Sequence, residues 1–467
     1  MRPLADLYDV YHRRIGYRLC EAALGRSTFA LLAQMQRIDT LPTAERTRAL
    51  AVRLATTLNA AAQVPFYRNG LADKASGVRA GDAVDALKAL PITRKEHIRD
   101  NPRAFLRETC RRRLQTTRTA GSTGQPLVAY CDPLAAVCGC AAMAYGRSWW
   151  GLPPGARSVN LWGHSKYLSG GWRNRVRLAK RRLLDAVMNR TVFPAYDLSA
   201  SNLDRFADLV LRKQPVYLVG YASALHAAAC AMRNAEPASR LRAVVSTGEV
   251  LYEEQQQDIE EYLRVPVVQE YGLCEAGVIA YSCPAGSMHV LDPLVHVELL
   301  DDEGRPVDVG ETGRIVVSLL GRHDVVILRY DTGDLATEVP QGCACGRPGR
   351  RIGRVAGRAY DLIRTPSGGA VPGVLFTHAM KYLSGVQRYC VVQTDLDRIE
   401  VRYEQHQPLQ PAEFDAARRK MIDAVGSDVQ IRFQRVDALP RESSGKFRWI
   451  RSELTTTQGY GPNRNTQ

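Results

Sequence analysis

A chain of 467 residues is long enough for two or more domains with well-buried cores. With 45% apolar and 24% charged residues it reads as globular rather than disordered, and no apolar run approaches the roughly 20 residues of a membrane helix. The net charge of +15 favours polyanionic ligands, but no nucleic-acid module accompanies it, so neither nucleic acid nor membrane is an expected partner.

Taken in chain order, residues 1–100 read as helical, with apolar residues at helical spacing through 28–35 and 49–62. The opening stretch MRPLADLYDVYHRR lacks a secretory core, which points to a cytoplasmic location. Residues 119–126, TAGSTGQP, form a loop between two expected strands. From about residue 200, helix and strand alternate. Leu203–Arg212, Ala222–Met232 and Glu253–Leu263 are helical, while Val216–Val219, Leu241–Ser246 and Val265–Gln269 are strands. That alternation predicts a parallel sheet with helices on its faces, whose ligands bind at the carboxyl ends of the strands. TGE at 247–249 and EYG at 270–272 fall at such ends.

Near residue 290 the pattern changes. Val295–Leu300, Gly313–Leu319 and Val325–Arg329 read as strands of a small antiparallel unit. After the GR pair at 357–358 comes a connector, then a tail domain. There Arg388–Gln393 pairs with Glu400–Tyr403, a helix from about Ala412 buries Phe414, Ala417, Met421, Ile422 and Val425, and a strand spans Val429–Val436.

Glycines in TAGSTGQP let backbone approach a polyphosphate, and Thr119, Ser122 and Thr123 offer hydroxyl donors. Alone, such a loop reads as a surface turn, and no GK[ST] follows it. Three further fragments give it meaning: EYGLCE at 270–275, RYDTGD at 329–334 and SSGKFR at 443–448. Together with VYLVGYASAL, STGEVLY and CACGR, they resemble the adenylate-forming ligases of the acyl-CoA synthetase superfamily. The narrower resemblance is to the phenylacetate–coenzyme A ligase family and its capsule-biosynthesis-type branch.

The resemblance implies an α/β chain. A large N-terminal domain of parallel α/β sheets plus a small antiparallel unit would span 1–357, with a hinge at 358–364. A small mobile α+β domain would span 365–455, and residues 456–467 read as a disordered tail. The implied reaction joins a small carboxylic acid to ATP as an acyl-adenylate, releasing pyrophosphate. A thiol of coenzyme A or an acyl carrier protein then displaces AMP; transfer to an amine, or adenylyl transfer, is the alternative. A monomer and a homodimer both stay open.

Residue by residue, the resemblance assigns Thr119, Gly121, Ser122, Thr123 and Gly124 to the β- and γ-phosphates. Gln125 stands where the family commonly has lysine. Tyr271 would stack on adenine, Gly272 would let the ring approach, and Gly248 and Glu249 would form a wall beside it. Glu275 would hold Mg²⁺, which prefers oxygen ligands, Asp334 the ribose hydroxyls, and Arg358 ribose or phosphate. Lys446 is the expected catalytic residue, bridging carboxylate and α-phosphate. Tyr360 departs from the Asp or Lys common at the pivot. Trp162, His164 and Tyr221 are assigned to the acid pocket, and Cys274 to its packing; Ser223 lacks a nucleophile elbow.

Eleven irregularly spaced cysteines fit reduced thiols in a cytosol. Cys283, His289, Cys343 and Cys345 flank the antiparallel unit and could converge on one Zn²⁺. Three thiolates and an imidazole make a closed, structural site, and several relatives of the phenylacetate-ligase type resemble this arrangement.

Overall fold

Alternating strand and helix build the centre of the chain, because runs of β-branched residues are separated by amphipathic helices of ten or more residues. The computed structural model describes residues 10–74, 77–108, 110, 114–118, 128–162, 179, 182–195, 198, 200–236, 238–358, 362–366, 370–372, 376, 379–380, 383, 385–439 and 449–454. They divide into two units: residues up to Val355 without the run Gly333–Leu335, and that run with residues from Ala356 onward.

In the first unit, helices α1 (Thr28–Asp39) and α2 (Thr43–Ala61) precede an antiparallel hairpin of β1 (Gln115–Arg118) and β2 (Val128–Cys131). This hairpin brackets the glycine-rich loop. Helix α3 (Pro133–Ser148) follows, capped at its start by Asp132, whose carboxylate accepts the Ala135 amide at 2.7 Å.

The main sheet then takes β3 (Ser158–Leu161), β4 (Arg190–Phe193), β5 (Tyr217–Gly220), β6 (Ala243–Thr247) and β7 (Val267–Leu273), all parallel. Helices α4 (Ala200–Lys213), α5 (Ala222–Ala231) and α6 (Glu253–Leu263) connect them. Alternate residues serve two cores: Tyr217, Val219, Ala243 and Val245 pack with α3, whereas Leu218 and Val244 pack with Phe206, Leu225 and Ile259 from the helices.

The sheet does not close at Gln269, as the sequence pattern suggests. It continues through antiparallel β8 (Gly277–Ser282), β9 (Met288–Val290) and β13 (Arg351–Ile352), giving eight strands in the order β13-β9-β8-β7-β6-β5-β3-β4. A second sheet holds β10 (Val295–Leu300), β11 (Thr312–Leu319) and β12 (Tyr330–Thr337), and ends in β14 (Val355–Arg358).

The expected strand Val325–Arg329 is a correction. Apart from a single bridge of Val325 to Leu106, this run is buried coil. Its amides are taken by other groups: Leu328 donates to the Tyr67 hydroxyl at 2.9 Å and Arg329 to Ser318 Oγ at 2.9 Å. Arg329 also adopts φ +44°, which breaks extended geometry. The guanidinium holds the turn by pairing with Glu298 through two 3.1 Å contacts and donating to the Leu90 carbonyl at 2.8 Å.

In the second unit β15 (Leu362–Arg364) pairs antiparallel with β16 (Ala370–Pro372), and β17 (Val386–Asp395) and β18 (Arg398–Gln405) form the expected hairpin, here longer at both ends. β19 (Gln430–Arg435) and β20 (Ile450–Ser452) add parallel to its two edges. Helix α7 (Pro411–Val425) buries Ala417, Met421 and Val425, with Phe414 and Ile422 partly covered. The tail 456–467 lies outside the described residues.

Candidate functional site

The carboxyl ends of β6 and β7 lie side by side, because the two strands run parallel with Ser246 opposite Gln269 and Thr247 opposite Glu270. Gly248 leaves β6 at φ +77°, a conformation that favours glycine. Glu249 turns back toward α5, and its carboxylate accepts the Ser223 amide at 2.9 Å. A carboxylate at a helix N-terminus satisfies an otherwise unpaired N–H and complements the helix dipole. Ser223 is thereby a helix-start residue.

Tyr271 is half-buried and pairs with Ala280 across the β7–β8 hairpin. A register shift follows it, and a Cβ on Gly272 would meet the Gly277 carbonyl oxygen at 2.6 Å. Close approach of the two hairpin strands is thus a sufficient reason for glycine there. Glu275 sits in the turn that follows, is 7% exposed, and accepts a 2.7 Å hydrogen bond from the Tyr330 hydroxyl. Two of the sequence fragments are thereby in direct contact. Tyr330 was not singled out from sequence, although period-two alternation puts it on the same face of β12 as Asp334. Asp334 is buried, while Asp331 on the opposite face pairs with Arg314 at 2.6 Å. Cys274, expected to pack a pocket, is exposed at the tip of the same turn, so that expectation is corrected.

Trp162 and Tyr221 follow β3 and β5, which are adjacent in the sheet with Leu161 opposite Gly220. Their rings stack at 4.5 Å between centroids with 29° between planes. Two aromatic residues 59 positions apart in sequence thus become one surface.

Hairpin β8–β9 carries Cys283 and His289, and pairing of β13 with β9 brings the segment containing Cys343 and Cys345 beside them. The four donor atoms all lie within 4.8 Å of one another. Cys283 Sγ is 3.7 Å from Cys343 Sγ, and Cys345 Sγ is 3.4 Å from His289 Nε2. Cys283 and His289 are buried, and the edge of the His289 ring stands against Trp149. Burial opposes the charged form of Cys343, yet hydrogen bonds from Ser287 and the Cys345 amide hold its thiol well below the ordinary cysteine range. Thiolate is the form that binds a metal. A cavity of about 450 Å³ abuts this cluster, lined by Trp150, Gln269, Cys283, Met288 and Arg351, and includes none of the described residues assigned to the nucleotide.

Several expected residues fall outside the described set: Thr119, Gly121, Ser122, Thr123, Gly124, Gln125, His164, Tyr360 and Lys446. Arg358 is described only as backbone at the end of β14. Arginines between 347 and 354 are engaged locally. Arg347 lies 4.8 Å from the centroid of the Trp149 ring, Arg350 pairs with Glu338, and Arg354 donates to Gln256 at 2.8 Å. Among the described residues, no helix is long and apolar enough to cross a membrane. All eleven cysteines are free thiols.

A family model for AMP-binding enzymes matches residues 189–321, and one for the CapK C-terminal domain matches residues 363–453. The chain is 25% identical over 447 residues to a phenylacetate-coenzyme A ligase of Thermus thermophilus, covering 88% of this chain and 98% of that one. It is 22% identical over 381 residues to Protein CapK of Staphylococcus aureus, covering 78% and 79%. The fold is that of 2-hydroxyisobutyryl-CoA ligase, solved in complex with R3-HIB-AMP in the postadenylation state. The TM-score is 0.69 at 18% identity, over 90% of this chain and 92% of the other.

Proposed function

We infer that this chain, an adenylate-forming enzyme of the phenylacetate–coenzyme A ligase-like kind, activates a small carboxylic acid with ATP and passes the acyl group to a thiol. The observation that carries this reading is the junction of β6 and β7. Parallel pairing of the two strands ends there at Thr247 and Glu270, followed by Gly248–Glu249 on one strand and Tyr271–Gly272 on the other, with the buried Glu275–Tyr330 pair close by in the next turn. The carboxyl end of parallel strands is where such folds bind ligands.

A carboxylate is a poor electrophile because its leaving group would be oxide. In the first half-reaction a carboxylate oxygen attacks the α-phosphorus of ATP and pyrophosphate leaves. In the second, the thiol sulfur attacks the acyl carbon and AMP leaves. Negative charge grows on the α-phosphate oxygens in the first step, so fixed donors and cations there lower the barrier. Lys446 supplies that cation in this reading and bridges carboxylate to α-phosphate. Thr119, Gly121, Ser122, Thr123 and Gly124 cradle the β- and γ-phosphates, with hydroxyls and amides standing in for the lysine absent at Gln125. Tyr271 stacks on adenine beside Gly248, Asp334 accepts from the ribose hydroxyls, and Arg358 reaches ribose or phosphate. Trp162 and Tyr221 offer a flat apolar surface suited to the acid, with His164 nearby in sequence.

Magnesium and zinc enter as bound groups. Glu275, an oxygen donor in a buried turn, fits Mg²⁺, which would neutralise phosphate charge. Cys283, His289, Cys343 and Cys345 fit one Zn²⁺ as a closed tetrahedral set with a structural role. One zinc per chain by elemental analysis is the expected result, and a chain free of zinc would remove that assignment. Free thiols throughout accord with a reducing cytoplasm.

The test is a pyrophosphate-release screen over a panel of acids, followed by addition of coenzyme A. Release of AMP on adding the thiol supports the reading; acid-dependent pyrophosphate exchange indifferent to any thiol would transfer the second step to another acceptor. Lys446→Ala is expected to cut adenylation by about 10²–10³-fold, about 3–4 kcal/mol. Thioester formation from a supplied acyl-adenylate should change far less. Equal loss in both halves would remove the role given to Lys446.

A further inference from the structure

Helices α5 and α6 pack through Leu225, Ala229, Ile259 and Leu263. At the rim of that apolar contact stand three polar side chains that the proposed reaction does not use. His226 and Cys230 are four residues apart on α5 and therefore share a face. Asp258 faces them from α6. His226 Nε2 lies 2.7 Å from Asp258 Oδ2 and 3.5 Å from Cys230 Sγ, and the three donor atoms all lie within 4.8 Å of one another.

A nucleophilic relay would use both ring nitrogens, one toward the carboxylate and one toward the thiol. Here carboxylate and thiol converge on the same nitrogen, so the trio is not a relay. Convergence of O, N and S donors on one point is instead the arrangement of a cation site.

We propose that His226, Cys230 and Asp258 form a binding site for a borderline divalent cation such as zinc, which cross-links α5 to α6. A tetrahedral zinc ion with bonds of about 2.0–2.3 Å holds its donors about 3.3–3.8 Å apart. Cys230 and His226 already meet that spacing at 3.5 Å, and the Asp258 carboxylate, 2.7 Å from Nε2, must draw back to meet it. Binding displaces the proton on Nε2 and the thiol proton to solvent, leaving neutral imidazole, thiolate and carboxylate as ligands. His226 and Asp258 side chains are 28% and 38% exposed, so water can fill the fourth position. The ion would stiffen the helix whose N-terminus is tied to Glu249 and which follows Tyr221 directly.

Full-length protein is stripped with a chelator and dialysed against buffered micromolar Zn²⁺ or Co²⁺. Metal content and the Co²⁺ absorption spectrum are then compared for wild type, Cys230→Ser, His226→Ala and Asp258→Asn. Cys230→Ser and His226→Ala are each expected to hold one ion fewer per chain than wild type. Cys230→Ser should also lose part of the thiolate-to-cobalt band, and Asp258→Asn should bind at least tenfold more weakly than wild type. Circular dichroism matching wild type shows that each variant is folded, and any one folded variant suffices for the comparison. Equal metal content in wild type and folded variants, or filling only at millimolar metal, overturns the proposal and leaves an ion pair beside a thiol.

Discussion

The Cys283 cluster and the His226 cluster use similar donor chemistry but differ in how the fold encloses them. Cys283, His289, Cys343 and Cys345 come from a hairpin and a distant segment drawn together by strand pairing, and two of the four are fully buried. His226, Cys230 and Asp258 come from two helices in contact, and all are partly open to solvent. A set of four donors, two of them buried, would suit an ion that holds the fold. Three donors at a helix rim leave a coordination position for water and suit an ion that comes and goes. Burial and donor count, more than donor identity, separate a permanent ion from an exchangeable one.

Breaking the closed cluster should have the largest effect. Cys345→Ser, or chelation of the wild type, is expected to lower stability in denaturant titration by about 4 kcal/mol, the linkage for an ion near 1,000 times its Kd. An unchanged denaturation midpoint would erase the contrast. At the open cluster, His226→Ala should remove a zinc-dependent increment of about 3 kcal/mol at free zinc near 100 times Kd; without metal it should cost only the contact with Asp258, by an amount indifferent to zinc.

A histidine outside both clusters sharpens the comparison through pH. Burial, with Arg350, Lys88 and Arg329 nearby, pushes His296 down to about 4 from 6.5. The unfolded chain therefore binds a proton that the folded chain refuses. Stability attributable to His296 is complete above about pH 6.5 and lost as pH falls toward about 4. His296→Gln should flatten that slope, read from thermal midpoints across the window; an unaltered slope would assign it elsewhere. The smallest effect is expected at Glu249→Gln, which weakens the charged contact to the start of α5 by about 0.3–1 kcal/mol and should appear as a small fall in melting temperature.

Much of this molecule was legible along the chain. Helix α6 was read from sequence with both its ends, because Glu253–Leu263 is amphipathic and bounded by turns. Strands β5 and β6 were read within two residues at each end, since buried parallel strands are short unbroken apolar runs. Val325–Arg329 has the same composition, yet side chains from other elements satisfy its amides. No local pattern reports that. The aromatic pair and the four cysteine-cluster residues were named from sequence, and their convergence follows from strand order. Tyr330 as the partner of Glu275, and Asp258 as the partner of His226, were not legible, since each joins positions on different elements.

Residue order by itself determined which stretches become strand or helix and which chemical groups the chain can offer. Periodic burial and the small menu of backbone conformations act over a few residues. Only the tertiary structure decided which groups meet. Register between β9 and β13, and the packing of α5 on α6, are set by side-chain fit across long sequence separations, and that fit brings the donor atoms of each of two separate sets within 4.8 Å of one another.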